Sequence, residues 1–265
     1  MNRLINSLIF FFVVIMPLNS QGFERQKNYT DENGLRQGYW ESKYPNGNLQ
    51  YRGTFKDNRP RGEFIRYFPD GNKMAVMHFC DQGIRAEAKL YYENGNVAAT
   101  GVYVNEEKDS VWQYFSYYGN HLAGIETYEN GIKEGVSAVY YENGKPAETY
   151  WYERDMKNGP WRQFYDNGAL KVEAEFVDNQ RHGKFIYYTS GGKIEMEGQY
   201  FRDQMHGEWI YYDGNGSQVS VINYINGRPE NETELMEKEQ EMFRQIEEMR
   251  GRIPEPDESE TFFPR

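Results

Sequence analysis

Two histidines, His182 and His206, have the spacing that comes nearest to a metal site. They lie 24 residues apart, each directly before a glycine. If the chain between them forms two regular strands, they are roughly 9–10 Å apart, whereas metal-ligating nitrogens lie about 2.0–2.1 Å from a shared zinc ion. We therefore interpret them as loop histidines repeated by duplication. The other two histidines, His78 and His121, are isolated, and the sequence predicts no metal site.

Carboxylates that could supply acid–base chemistry recur beside glycine turns, at Asp70, Glu93, Glu142, Asp166 and Asp213. A glycosidase uses such groups as one pair across a cleft, within about 5–10 Å. Recurrence at successive turns is better explained by turn chemistry, because Asp and Asn hydrogen-bond their own backbone. The sequence has no HExxH or CxxC motif, no calcium loop, no serine nucleophile elbow and no phosphate-binding glycine motif. We predict that the chain is not an enzyme and uses no cofactor.

The recurrence extends over most of the chain. Residues 38–228 divide into eight consecutive units, six of 24 residues, one of 25 and a last unit of 22. The units start at Gly38, Gly62, Ala86, Ser110, Gly135, Gly159, Gly183 and Gly207. A turn glycine follows nine positions after each start, at Gly47, Gly71, Gly95, Gly119, Gly144, Gly168, Gly192 and Gly216. A period held this long predicts a stacked repeat array.

Each unit has the pattern of a β-hairpin, as the sixth shows most clearly. Asn167-Gly168 supplies the positive φ of a tight turn, and the apolar/charged alternation from Leu170 to Phe176 is typical of a strand. We expect residues 178–182 to form a polar return loop. Glycines in the middle of the second strand, at Gly53, Gly101 and Gly198, predict that a neighbouring ring lies across the backbone. Sixteen strands about 4.8 Å apart give an all-β, elongated antiparallel sheet roughly 75 Å long.

The unit pattern Gly-x-Trp-x-x-Tyr/Phe-Tyr-x-Asn-Gly, followed by Gly-x-Tyr/Phe, resembles the MORN repeat. The resemblance is to the bacterial variant found in YwqK-type antitoxin proteins, and it covers about 190 of 265 residues. In units three to five, Ala86, Ala88, Ser110 and Ser137 replace the expected glycine or aromatic residue. The resemblance implies stacked β-hairpins, no catalysis, and contact with proteins or membrane lipid or a role as a scaffold.

The aromatic residues fall into two predicted groups. We expect a structural ladder, because a single-layer sheet has few Leu or Ile side chains and its rings must cover one another. The ladder comprises Trp40, Phe64, Trp112, Trp161, Phe185 and Trp209 in the first strands and Phe55, Phe79, Tyr103, Tyr128, Tyr152, Phe176, Tyr200 and Tyr224 near the unit ends. Tyrosine hydroxyls tolerate water, so a second group forms the candidate binding face: Tyr44, Tyr67, Tyr92, Tyr141, Tyr165 and Tyr212.

The two ends of the array differ from its middle. Residues 21–37 resemble half a unit and predict a half-hairpin cap at the first sheet edge. Residues 229–251 predict an amphipathic helix, which could cover the last hairpin, bind a second copy or a partner, or stay solvated. Residues 252–265 are acidic and contain proline, which is typical of a disordered tail, although Phe262 and Phe263 could form a docking motif.

The first 20 residues have the pattern of a secretory signal peptide. Arg3 precedes an almost wholly apolar run from Leu4 to Leu18, and small or polar residues follow. The run is short for a membrane span, and a signal-anchor helix is the alternative. We therefore predict an exported protein. Its single cysteine, Cys80, cannot form an internal disulfide and is either a small strand residue or a link between chains.

Composition narrows the classes of partner. The net charge of −11 argues against binding to nucleic acid or anionic lipid. The leading hypothesis is a non-catalytic scaffold that binds a protein partner, with a homodimer through the C-terminal helix left open. The alternative is a carbohydrate- or cell-wall-binding module, since aromatic hairpin repeats are similar to choline-binding repeats. Association with a membrane surface is the second alternative.

Overall fold

The computed structural model describes residues 27–249, so the predicted signal peptide, residues 21–26 of the predicted cap and the predicted acidic tail lie outside the described residues. Eight hairpins follow one another, as predicted. Their strand pairs are β2 (Arg36–Lys43) and β3 (Leu49–Lys56), β4 (Arg59–Tyr67) and β5 (Lys73–Cys80), β6 (Arg85–Tyr91) and β7 (Val97–Val104), β8 (Glu107–Phe115) and β9 (Leu122–Glu129), β11 (Gly135–Tyr140) and β12 (Pro146–Glu153), β13 (Met156–Phe164) and β14 (Leu170–Val177), β15 (Gln180–Tyr188) and β16 (Ile194–Phe201), and β17 (Gln204–Tyr212) and β18 (Gln218–Ile225). The two-residue strands are β1 (Tyr29–Thr30), β10 (Ile132–Lys133) and β19 (Arg228–Pro229), and the helix is α1 (Glu232–Met249).

The sheet is an antiparallel meander in which strands pair with their neighbours in the sequence. The first hairpin is joined to the second through β3 and β4, where Arg52 lies opposite Ile65. The last hairpin is joined to the seventh through β16 and β17, where Met196 lies opposite Tyr211. The short strand β10 pairs with the end of β9, at Tyr128 and Glu129, and β11 pairs with β9 at Gly124 and Ile125. The fold is therefore the all-β repeat array that the period predicts.

Two kinds of turn connect the strands. Inside seven of the eight hairpins the turn glycine has a positive φ, as at Gly47 (89°), whose N–H donates to the Tyr44 carbonyl at 2.9 Å. In the fourth hairpin Asn120, rather than Gly119, has the positive φ (52°). The turn asparagine or aspartate accepts a backbone N–H two residues on, so that Asp70 Oδ1 receives the N–H of Asn72 at 2.9 Å. Asp70 and Asp213 therefore bond their own backbone as predicted. At the turns of Glu93, Glu142 and Asp166 the neighbouring asparagine accepts this bond instead.

Between hairpins the connections are shorter than predicted. Asp57 and Asn58 both have positive φ, 52° and 65°, and they alone separate β3 from β4. The same two-residue turn occurs at Asp178 and Asn179, so the predicted five-residue return loop at 178–182 is wrong. Two residues with positive φ match the twist of the flanking strands, and the polar residues that follow belong to β15.

The mid-strand glycines do face rings, as predicted. A Cβ added at Gly53 would overlap the Phe64 ring, and a Cβ at Gly101 or Gly198 would overlap the indole of Trp112 or Trp209. Each glycine lies on the second strand of one hairpin, and each ring belongs to the first strand of the next hairpin. The absence of a side chain therefore lets consecutive units stack closely.

Buried side chains form two clusters on the sheet face that carries these rings, which we call the ring face. One cluster joins Ala88, Ala99 and Trp112, with Tyr114 and Tyr128 packed against it. The other joins Val172, Ala174, Phe185 and Trp209 in the last three hairpins. Trp112 and Trp209 are fully buried. The fifth unit lies between the two clusters, and its residue at the ring position is Ser137.

The ends of the array are covered only in part. At the front, β1 pairs with two residues of β2, Arg36 and Gln37. At the back, the side chains of α1 whose burial is described are all exposed, including Met236, Met242 and Phe243 at 54%, 51% and 58%. This exposure differs from the expectation of a helix folded over the last hairpin. Within residues 27–249, no helix has the length and apolar character that a membrane span requires.

Candidate binding groove

The predicted structural rings stack along the ring face in two stretches. At the front, the rings of Phe55, Phe64 and Phe79 meet edge to face, with centroids 5.9 and 6.1 Å apart. At the back, the Tyr200 ring meets both Phe185 and Trp209, with centroids 5.3 and 5.2 Å apart. Such pairs add to the burial of each ring. The indole N–H of Trp209 also donates to the Gln199 carbonyl, which fixes the ring to the preceding unit.

The ladder is interrupted at two places, and a cavity opens at each. In unit three Ala88 takes the place of the first-strand ring; Ala88 itself is buried, with Met77 packed against its cluster. A groove of about 920 Å³ lies on the ring face of units one to three, lined by Phe64, Met77, Phe79, Leu90 and Tyr103 among others. We call it the groove at Ala88, because its lining residues Ala86 and Leu90 flank that position. In unit five Ser137 takes that place, beside a smaller hollow of about 240 Å³. Ser137 therefore lines one cavity directly, whereas the buried Ala88 lies beside the other.

The hollow at Ser137, which we call the notch, has a polar floor. Ser137 is 7% exposed, and its Oγ is buried without a hydrogen-bond partner among the described residues. Glu126 lies in the position that glycine occupies in Gly53, Gly101 and Gly198, and its carboxylate binds Lys133 and accepts the Tyr128 hydroxyl at 2.5 Å. The rings of Tyr114 and Tyr150 form walls of the notch.

Electrostatics around the notch follow from partial burial. Burial of the Glu126 carboxyl by itself raises its pKa, but hydrogen bonds from Lys133, Tyr128 and Tyr114 outweigh burial and hold the pKa below its usual range. Burial lowers the pKa of Lys108. Burial and hydrogen bonds to Tyr128 and Glu126 raise the pKa of Tyr114. At neutral pH the notch therefore contains an ionised carboxylate and neutral tyrosines.

A row of cations lies along the ring face, two residues before the unit starts, and sequence reasoning missed it. Arg36 stacks over the Phe55 ring at 4.1 Å, and Arg181 stacks over the Tyr200 ring at 4.1 Å. Lys157 lies 3.7 Å from the centre of the Tyr150 ring. The period could have revealed the row, because the same unit position holds Arg36, Lys108, Lys133, Lys157 and Arg181. These cations give the ring face a positive edge in an acidic chain.

The six tyrosines of the predicted binding face occupy two positions of the repeat unit. Tyr44, Tyr92, Tyr141 and Tyr165 share one unit position, whereas Tyr67 and Tyr212 lie one residue earlier in their units. The four equivalent hydroxyls donate to backbone carbonyls of the next unit, at Tyr67, Phe115, Phe164 and Tyr188, over 2.6–2.9 Å. Tyr212 instead donates to Glu197. All six side chains are half-buried, and their binding role stays a prediction.

The histidines and the cysteine lie apart from the ring face cavities. His182 and His206 flank the Phe201 ring, with centroids 5.2 and 6.0 Å from it, so an aromatic ring separates the pair. Within the part of the chain that the structure describes, no three His, Cys, Asp or Glu residues are grouped so that they could hold a metal ion. Cys80 is a free, exposed thiol at the end of β5.

Five segments match the sequence model of the MORN repeat variant, at residues 36–57, 86–105, 133–153, 157–178 and 181–201. They coincide with hairpins one, three, five, six and seven, so both units with an interrupted ladder match the MORN repeat variant. The finer resemblance to YwqK-type antitoxin proteins stays a prediction. No curated protein matches this chain. The crystal structure of TarM is similar at 11% identity over 46% of this chain and 19% of the TarM chain, with a TM-score of 0.23, and supports no argument.

Proposed function

We propose that this chain of MORN repeat variants is an exported, non-catalytic scaffold that binds an extended, acidic segment of a protein partner on its ring face. The observation that carries the proposal is the groove of about 920 Å³ on the ring face of units one to three, next to the position in unit three where the ladder lacks a ring. A groove of this volume lies at the upper end of the range in which proteins bind small ligands, and it can hold more than one side chain. Its open form suits a peptide better than an enclosed metabolite.

The chemistry of the groove favours bulky apolar side chains. Phe64, Phe79 and Tyr103 present aromatic rings, while Met77 and Leu90 supply flexible apolar contact. Methionine adapts to ligands of different shape, and aromatic rings dominate the energy of interface hot spots. A partner segment with aromatic or long aliphatic side chains fits this lining.

The charges at the groove favour an acidic segment. Arg36 and Arg66 line it, against one acidic lining residue, Glu106. Lys108 and Lys157 extend the positive edge beyond the groove, whereas Lys133 and Arg181 are paired with Glu126 and Asp203. Complementary charge speeds association and fixes the register of a bound segment. We therefore expect binding to weaken as the ionic strength rises.

Protein rather than carbohydrate recognition is favoured by the state of the tyrosines. Four of the six tyrosines of the predicted binding face donate hydrogen bonds from their hydroxyls to carbonyls of the next unit. A sugar that bound them through those hydroxyls would compete with the contacts between repeats. The groove at Ala88 instead offers mainly apolar surface.

Selection from a displayed library of random 12-residue peptides tests the proposal. We expect enriched peptides to carry aromatic and acidic residues and to bind with a salt-dependent affinity. The variant Met77→Gly/Ala88→Trp fills the groove by copying the pair Gly101–Trp112, and we expect it to lose these peptides. Val111→Trp adds the same indole to the opposite face at a residue that is 48% exposed, and this control should retain them.

Two results would contradict the proposal. Enrichment of peptides that bind the filled variant and the native chain equally would place recognition elsewhere. If no peptide is selected and the native chain binds to a glycan array, the carbohydrate alternative is favoured.

Export forms the second part of the proposal and has its own test. The apolar run from Leu4 to Leu18 after Arg3 supports cleavage near Ser20. The intact mass of the protein recovered from its producing cells should correspond to a chain that begins near Gln21. Recovery of the chain with Met1 and the apolar run in place would support the signal-anchor alternative instead.

A further inference from the structure

The notch at Ser137 lies at the point where the repeat pattern calls for a ring. In the units that keep the pattern, a glycine or alanine on one hairpin faces a large ring on the next, as in Gly101 with Trp112 and Ala174 with Phe185. In unit five the facing pair is Glu126 and Ser137. The frame of the sheet is kept, and a hollow of about 240 Å³ remains beside the small side chain.

The size and lining of the notch suit a single planar ring. A cavity of about 150 Å³ lined by apolar side chains holds one benzene molecule, so the notch has room for a ring with one polar substituent. Tyr114 and Tyr150 stand as aromatic walls, and the rest of the lining includes Gly124, Val139 and Tyr152. A ring between such walls would gain the edge-to-face or offset contacts that the ladder makes elsewhere.

The floor of the notch calls for a hydrogen-bonding group. Ser137 Oγ is buried and has no partner among the described residues, and a buried polar group without a partner is costly. Glu126 lines the same notch, and an ionised carboxylate has further capacity to accept hydrogen bonds. The chain holds one of its own rings in this manner, since Trp161 stacks on Tyr150 and donates its indole N–H to Glu148 at 2.7 Å.

The surrounding charges disfavour a cation in the notch. Lys108 already lies over the rings of Tyr114 and Tyr128, and Lys133 lies over the ring of Tyr152 and binds Glu126. Lys157 lies over Tyr150. The aromatic faces at the edge of the notch are therefore already in contact with ammonium groups, and an added cation would be repelled.

We propose that the notch at Ser137 binds one neutral aromatic side chain of a partner, a tyrosine or tryptophan, whose O–H or N–H is held by Ser137 and Glu126. This inference rests on the proposed function and adds to it a second subsite of defined chemistry. The bound ring completes the ladder between the two hydrophobic clusters. The notch is lined by units four and five and the groove at Ala88 by units one to three, so a segment that fills both must be extended along the array.

Small aromatic probes test the notch directly. Saturation-transfer NMR with the purified protein would compare 4-methylphenol, toluene and benzyltrimethylammonium. We expect 4-methylphenol to bind best, toluene to bind more weakly and the cation to bind least. In Ser137→Ala, which keeps the hollow and removes the hydroxyl, the affinity for 4-methylphenol should fall roughly 2–10-fold while that for toluene changes little. In Glu126→Gly/Ser137→Trp, which fills the hollow, binding of both should be lost.

The contradicting results are equally specific. The inference is overturned if 4-methylphenol binds the filled variant as it binds the native chain, or if the cation binds best. Ser137→Ala keeps the test decisive even if the filled variant does not fold, because equal affinity of Ser137→Ala and the native chain for 4-methylphenol also overturns it.

The peptide experiment separates this failure from failure of the proposed function. Suppose the selected peptides bind Met77→Gly/Ala88→Trp more weakly but bind Glu126→Gly/Ser137→Trp as they bind the native chain. This result would contradict binding at the notch and would leave the proposed function supported. If neither variant changes the affinity for the selected peptides, the proposed function is contradicted. The titrations with small aromatic probes would still test whether the notch binds a ring.

Discussion

The contact between units seven and eight and the contact between units four and five have the same strand pairing but different side chains. In the former, Gly198 faces Trp209, and the indole is fully buried against Tyr200 and Phe185. In the latter, Glu126 faces Ser137, and a carboxylate, an ammonium group and two tyrosine hydroxyls occupy the seam. The same strand pairing therefore supports a closed hydrophobic contact in one place and an open polar one in the other. The comparison indicates that the sheet is held by backbone pairing and turns, while the rings decide which stretches are closed.

The largest expected effect is at the closed end. Trp209→Ala removes a fully buried indole, so the free energy of unfolding should fall by about 3–5 kcal/mol. Trp151, which is 41% exposed, gives the matched control, and Trp151→Ala should cost less than about 1 kcal/mol. Urea unfolding followed by circular dichroism measures both. Equal losses would mean that the buried ladder does not stabilise the last units.

The close approach of unit seven to unit eight gives the next prediction. Gly198→Ala puts a methyl group into the Trp209 indole and should lower the free energy of unfolding by about 1–3 kcal/mol. Gly214→Ala is the control, because nothing lies within 4 Å of its added Cβ. Gly198→Ala combined with Trp209→Phe copies the natural pair Ala174–Phe185 and should lose less than the sum of the two single losses. Additive losses would contradict a direct steric contact.

Filling the open contact between units four and five with a ring should stabilise the middle of the array, as buried rings stabilise its last units. Glu126→Gly/Ser137→Trp buries a ring between the two clusters at the cost of the ion pair with Lys133. We expect a gain of about 1 kcal/mol in the free energy of unfolding, because a partly exposed ion pair is worth less than a buried ring. A lower urea midpoint than in the native chain would show that the polar seam is itself the more stable arrangement.

The smallest expected effect is the response of the seam to acid. The folded-state pKa of Glu126 lies below its ordinary value, so its contribution to stability is present above about pH 4.3 and is lost as the pH falls through the folded-state pKa. Hydrogen exchange, corrected for its intrinsic pH dependence, should increase in β9 and β11 on acidification before it increases in β17 and β18. Glu126→Gln should remove this local difference. Uniform exchange along the array at all pH values would contradict it.

Much of the architecture follows from the sequence, because period and turn chemistry act locally. The spacing of Gly38, Gly62 and the later unit starts predicts the eight hairpins, and Gly101 and Gly198 predict the rings that lie across them. Short-range geometry, namely period-two alternation and positive φ in turns, determines these features. The predicted length of the return turns is wrong. Polar residues such as Arg181 are typical of a loop, but Arg181 pairs with Phe176 as part of β15.

The candidate site was harder to predict, because it depends on which side chains meet across repeats. Tyr67 was grouped with Tyr44, but a shift of one residue places the two tyrosines at different positions of the unit. The hydrogen bonds of Tyr44, Tyr92 and their equivalents to the next unit could not be read from one repeat alone. Ala88 and Ser137 were recognised only as departures from the repeat pattern. Their role as openings depends on the rings around them.

Hydrogen exchange of the protein with and without a selected peptide tests the central claim most directly. The peptide should slow exchange in the strands around the groove and the notch, β4 to β9 with β11 and β12, and leave exchange in β15 to β18 unchanged. Protection confined to β15–β18 or to α1 would contradict the claim that the partner binds where the ring ladder is interrupted.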